Sequence, residues 1–215
     1  MKNDFQMLST LRFFFFECDK CNSIVGSNEA QQGNGCPICK TPNRVRSIYN
    51  FGEAVHSLID LMLEFYYLKK DTEKTSTLNG NHRLAVVIFF CTLGEVLLDG
   101  FLRESMDKVS IQDKLQEKLF NDNKSIQQKL DLFKALTGVD FKEEAAYLSL
   151  DCELDYSKVL VFHKSVKDAR NSFLHTGYKN MIDIKMPEKC LSNVWPLLNF
   201  FVALHNRHIG EPGGQ

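Results

Sequence analysis

The chain has 215 residues, 44% of them hydrophobic and 25% charged, with 26 basic against 27 acidic side chains and a formal charge of −1. That length holds one ordinary domain with a smaller unit beside it and is enough to bury a core. The charge balance excludes tight nonspecific DNA binding through a global basic excess, so any contact with nucleic acid has to be local.

Seventeen Phe raise the aromatic content, which points to large apolar faces, with an oligomer interface as one use for them. The N-terminus MKNDFQMLST carries Asp4, and the apolar run after it covers only Phe13 to Phe16, so no secretory leader is legible. Residues 8–16, LSTLRFFFF, predict a Phe-rich strand that runs into Cys18-Asp19-Lys20-Cys21. A turn-rich stretch, GSNEAQQGNG, then leads to Cys36-Pro37-Ile38-Cys39. Two Cys-x2-Cys pairs separated by fourteen residues match a zinc ribbon, in which two knuckles bring four thiolates to one tetrahedral metal.

Four soft ligands select zinc, with iron the main alternative, and leave no open coordination position for a substrate. Cys18, Cys21, Cys36 and Cys39 are therefore expected to hold a structural Zn2+ whose binding energy replaces a missing core. Cys91, Cys152 and Cys190 stand alone in helical patterns, and metal ligation plus reduced thiols fits a cytoplasmic compartment. Lys40, Arg44 and Arg46 form a modest basic edge, either solvated or a contact surface, and whether the ribbon touches RNA, DNA or protein stays open. The expected division is a ribbon over 1–47, an all-α domain over 48–209 and a disordered tail over 210–215.

Ser47 to Asn50 reads as a short joint. From Phe51 to Lys70 the apolar positions Val55, Leu58, Ile59, Met62 and Leu63 have helical spacing, with His56 structural or exposed. A polar loop, 71–80, follows. Residues 82–104 are apolar nearly all round, which places them at the centre of a bundle. Within them, 84–102 is the one candidate membrane span, but Glu95 and Asp99 would be costly at a bilayer centre, so a buried helix and no membrane partner are expected. Those two carboxylates are four apart and share a face. They could flank a cleft or bind a metal, but pairing with Arg or Lys from a neighbouring helix is favoured, and Glu95 is the candidate to orient Arg170. Shorter amphipathic helices are predicted over 110–120 and 124–137, the second stopped by Gly138, and another begins at Phe141. The last helix starts at Pro187, with Pro196 a site for a kink. His205, Arg207 and His208 close it, suited to the helix dipole or able to line a cleft.

The stretch from Tyr156 to Gly177, YSKVLVFHKSVKDARNSFLHTG, organises the rest. Val159, Phe162, Val166, Ala169 and Phe173 recur every three or four residues and form a core stripe, with Gly177 to stop the helix. His163, Lys167, Arg170, Asn171 and His175 fall outside that stripe and are expected to point away from the subunit's own core.

Arg170-Asn171-Ser172-Phe173-Leu174-His175 resembles the Arg-polar-x3-His signature of HEPN domains, all-helical modules of which many are metal-independent ribonucleases. The apolar helix over 82–104 is similar to the long second helix of that family, so the resemblance spans roughly 50–208. It implies a mainly α, up-and-down HEPN-like bundle preceded by the small β ribbon. It also implies a homodimer that brings two motif copies to one cleft, and RNA as the substrate. A prokaryotic toxin or antiviral-defence effector, restrained by an antitoxin or defence-system partner, is the expected biological setting.

Metal-free RNA cleavage needs a base for the 2′-OH, an acid for the leaving 5′ oxygen and positive charge on the phosphate. His175 suits the proton transfers, and Arg170 suits the phosphate through its planar fork. Asn171 lies four residues before His175 and can orient its ring. Lys167 and His163 are further candidates to contact the RNA backbone. The competing expectation is a non-catalytic module that binds nucleic acid or protein, or oligomerises.

Overall fold

The computed structural model describes residues 5–29, 32–71, 79–150, 152–176 and 182–210. The body of the polar loop expected at 71–80, the Gly177 stop, the start of the loop after it and the residues beyond Gly210 lie outside that set. The described chain is mainly helical, with a small antiparallel sheet near its N-terminus.

The first described element is a 3-10 helix over Gln6–Phe13, which takes up most of the stretch 8–16 where a strand had been expected. Strand β1 begins only at Phe15 and ends at Cys18. The reason is pairing: β1 lies between β2 (Ile24–Gly26) and β3 (Val45–Ile48), and its ladder to β2 starts with Phe15 opposite Gly26. Within the 3-10 helix the backbone bonds locally, as when Leu8 N–H donates to the Phe5 carbonyl at 3.0 Å, and Phe14, next to β1, reaches across, accepting from Ser27 N–H at 2.8 Å. Strand β3 also takes up Ser47 and Ile48, which the sequence reading assigned to a joint. The ribbon is thus a three-stranded sheet in the order β2-β1-β3.

Helix α1 (Glu53–Asp71) starts just after Asn50, whose Oδ1 accepts from Gly52 N–H and faces His56 Nε2, each at 2.9 Å. Helix α2 (Asn79–Lys108) is the axis of the fold. It packs against α1, α4 (Ile126–Thr137), α6 (Tyr156–Thr176), α7 (Met186–Ser192) and α8 (Val194–His208). Val87, Phe90, Cys91, Leu93, Leu98, Leu102 and Met106 are buried around it. By length and composition alone α2 could cross a membrane, but here five other helices cover it. Helices α3 (Asp113–Asp122) and α5 (Phe141–Leu148) complete the set.

Local chemistry sets several boundaries. Helix α4 begins with a capping box in which Ser125 and Gln128 each satisfy the other's backbone N–H, and it ends at Gly138 in the left-handed conformation. The expected single last helix is two. A proline at 196 has no N–H and would collide with the carbonyl four residues back, so the chain breaks at Asn193 and leaves Pro196 in the first turn of α8, where it is tolerated.

The ribbon and the bundle share one core. Phe15, 1% exposed, stacks on Trp195 at 5.1 Å and meets Phe51 edge-on at 5.1 Å. Phe15 and Ile24 belong to the same apolar cluster as Phe90 and Leu102, while Cys18, Cys21, Val25, Cys36 and Val45 make a second, smaller one. Phe15→Ala is expected to cost about 3–5 kcal/mol of stability in urea unfolding, because the ring fills the seam between the two units. A cost under about 1 kcal/mol would mean that the ribbon sits loosely.

Candidate functional site

Two constellations carry chemistry. The first is the thiol cluster, where the Sγ atoms of Cys18, Cys21, Cys36 and Cys39 all lie within 4.8 Å of one another. Cys18 and Cys39 are 3.8 Å apart, as are Cys21 and Cys36. A disulfide would need about 2.05 Å. Four sulfurs at about 2.3 Å from a tetrahedral ion stand about 3.8 Å from each other, so the donor set fits a closed metal site. The two knuckles also match in backbone: Asn22 and Lys40, each directly after the second cysteine of its pair, both adopt positive φ, at 52° and 58°. Donors converge on the sulfurs, with Ile38 N–H directed at Cys36 Sγ at 3.4 Å. Contacts with Thr41 lower the Cys39 thiol to about 6, and burial pushes Cys36 up to about 12. Among the basic residues beside the second knuckle, Lys40 is exposed and Arg44 pairs with Asp19 at 3.5 Å. The Arg46 side chain lies outside the described set.

The second constellation is the seam between α2 and α6. Helix α6 turns Val159 and Val166 inward, with Phe162 and Phe173 packed at the core's edge, as the spacing predicts. Arg170 does not simply point away from the core. Its side chain is 17% exposed, and Nη1 lies 3.6 Å from Glu95 Oε1 on α2, an ion pair too long for a hydrogen bond. Its Nε and Nη2 both donate to Asn171 Oδ1, at 3.2 Å each. Asn171 therefore steadies Arg170, and its oxygen is not spent on the ring of His175. His175 is exposed in the last turn of α6, and Lys167 is half-buried on the same helix.

His163 departs most from expectation. Placed by the sequence reading on the outward flank as an RNA contact, it instead faces α2 and packs on Phe90 at 5.6 Å. It hydrogen bonds to the Cys91 backbone, and its Nε2 is buried without a partner. The ring fits only because residue 94 is glycine: a Cβ there would stand 2.2 Å from His163 Nε2. Burial pushes the His163 pKa down, so the ring is neutral near pH 7, and nearby Lys167 and Arg170 disfavour its cation further. Burial likewise pushes the neighbouring Cys91 thiol up to about 11, against the pull of Arg170 and Lys167. A glycine in mid-helix was the sequence signal for this close approach.

Asp99 pairs with Lys129 of α4 at 2.6 Å, as the favoured expectation had it. The C-terminal histidines do not line the α2–α6 seam: His205 bridges Glu104 and Asn22, and His208 and Arg207 both reach the buried Glu144. No family model matches the chain, and no curated protein or solved structure proved similar to it.

Gly94→Ala is expected to lower stability even though alanine is the better helix former by about 1 kcal/mol. Gly100→Ala, on the same helix with nothing within 4 Å of its new Cβ, is expected to raise it by about 0.5–1 kcal/mol. Thermal unfolding of the two variants beside the parent checks the pair, and equal effects would contradict the close approach.

His163 also gives stability a pH dependence. Its folded pKa lies below the ordinary ~6.5, so the unfolded chain binds the extra proton first. Its contribution is complete above about pH 6.5 and is lost as pH falls from there through the folded pKa. Urea midpoints between pH 7.5 and 5 should fall less steeply for His163→Gln than for the parent.

Proposed function

We propose that the chain is a HEPN-like endoribonuclease with a structural zinc ribbon, cutting RNA by metal-independent attack of the 2′-OH and leaving a 2′,3′-cyclic phosphate. The observation that carries the reading is the arrangement on α6: a guanidinium held from two sides, with an exposed imidazole further along the same helix. The planar guanidinium fork of Arg170 matches two phosphate oxygens. Asn171 fixes one edge of that fork through two hydrogen bonds. Glu95 holds the other edge loosely, at 3.6 Å, so an incoming phosphate has to displace only an ion pair without a hydrogen bond. His175, exposed at the helix end, is the proton carrier, base or acid.

One subunit supplies a single histidine, whereas the reaction needs both a base and an acid. A homodimer that brings two α6 ends to one cleft supplies both. Lys167, half-buried on α6, adds positive charge along the path of the RNA. His163 has no part in contacting RNA in this proposal, because it lies inside the seam. A role as a toxin or antiviral-defence effector held in check by a partner follows from the family resemblance.

Zinc is the proposed occupant of the thiol cluster, where it would hold the ribbon's shape and take no part in cleavage. Its four thiolates leave no position for water or substrate.

The test of the enzyme is cleavage of labelled single-stranded RNA in EDTA by the parent, Arg170→Ala and His175→Ala, with folding checked by circular dichroism. The parent should cut and leave cyclic-phosphate ends, and His175→Ala should lose about 10²–10⁴-fold in rate. Arg170→Ala should lose cutting while remaining folded. If the parent binds RNA but never cuts it, the module binds nucleic acid without chemistry. For the metal, elemental analysis should find one zinc per chain, and Cys36→Ser with Cys39→Ser should lose both zinc and ribbon structure.

A further inference from the structure

The last turn of α8 is fastened to the first cysteine knuckle by side chains that bond backbone groups of the ribbon. Asn206 treats Ile24 as a strand neighbour would. Its Oδ1 accepts from Ile24 N–H at 2.6 Å, and its Nδ2 donates to the Ile24 carbonyl at 2.7 Å. Because β2 is an edge strand, Asn206 occupies the backbone groups that edge would otherwise leave open.

His205, 6% exposed, holds the preceding turn. Its Nε2 donates to the Asn22 carbonyl at 2.8 Å, since a carbonyl can only accept, and its Nδ1 faces Glu104 Oε2 at 2.8 Å. Tyr49 donates to the other oxygen of Glu104 at 3.1 Å. Beyond the helix the chain lies against the ribbon again: a Cβ on Gly210 would come within 2.9 Å of Ser23 Oγ, and Ser23 is itself 1% exposed.

Asn22, Ser23 and Ile24 follow directly after Cys21, and Asn22 holds its place only in the left-handed conformation at φ 52°. Asn is among the few residues other than glycine that take that conformation readily, and here it makes the turn that follows the first thiol pair. An open knuckle would withdraw the Asn22 carbonyl and the Ile24 edge together. His205 would then be left buried with Nε2 unpaired, and Asn206 would lose both of its bonds.

We propose that the thiol cluster governs the end of α8: metal in the knuckle locks the last helical turn and the residues after it, and loss of metal frees them while the α2 core stays folded. The proposal rests on reading the thiol cluster as a metal site and is independent of the ribonuclease reading. The chain also carries a reporter of the ribbon seam, because its single Trp, Trp195, lies at the opposite end of α8, stacked on Phe15 and edge-on to Phe14 at 6.0 Å.

The test compares the full-length chain loaded with Zn2+ and the same chain stripped by chelator under a thiol reductant. Metal content is measured by mass spectrometry, order by hydrogen–deuterium exchange and by Trp195 emission. Stripping should speed exchange over 203–210 by at least tenfold and shift Trp195 emission, leave 86–102 protected, and reverse when Zn2+ is restored. The variant His205→Ala with Asn206→Ala should keep its zinc but exchange fast over 203–210 in both states. Equal protection of 203–210 with and without bound zinc would overturn the clamp, and so would loss of protection across 86–102 on stripping. A chain that contains no metal and takes up no Zn2+ would overturn the metal reading itself, which the mass measurement separates from a failed clamp.

Discussion

Helix α2 is the helix against which five others pack, and it carries four carboxylates that each claim a different neighbour. Glu95 faces Arg170 of α6, Asp99 takes Lys129 of α4, Glu104 takes His205 of α8 and Tyr49 after β3, and Asp107 accepts from Gln116 of α3. Glu95, Asp99 and Glu104 are each more than a third exposed or close to it, so these pairs add little to stability. What they fix is register. An apolar helix packs against neighbours in many rotations of similar energy, and a charged partner at one height selects among them.

The proposed catalytic group depends on that selection. Arg170 can be steadied by Glu95 only because α6 comes close to α2, and the closeness comes from Gly94 admitting the His163 ring. The polar seam therefore has two parts with different work. The His163 end is sealed, neutral and structural, while the Arg170 end is charged and leads toward the exposed His175. Helix α8 plays a comparable part for the ribbon, so neither unit keeps its position through sequence proximity alone.

Much of this architecture was legible in the chain itself. The Tyr156 start of α6, the Gly138 stop of α4, the apolar character of α2 and the grouping of four thiols all follow from local rules of periodicity, capping and spacing. Glu95 and Asp99 were also readable as partners for basic side chains, because two carboxylates in an apolar helix need company. What was missed depends on residues distant in sequence. The Phe run reads as strand throughout, but a ladder exists only where partners lie alongside, from Phe15 onward. Helical spacing placed His163 off the core stripe, yet a glycine on another helix drew the ring inward. His205 and Asn206 look like any charged or polar helix end until the first knuckle, over 180 residues away, is folded against them.

The proposed ribonuclease reading requires RNA to meet this protein at the exposed end of α6. Its most direct measurement is NMR of histidine-labelled protein titrated with a 2′-O-methyl RNA, which can bind but cannot be cut. The His175 ring resonances should move in a saturable way, while those of His163, shut in the seam, stay in place. Saturation that leaves His175 unmoved, with changes confined to the ribbon, would contradict the account.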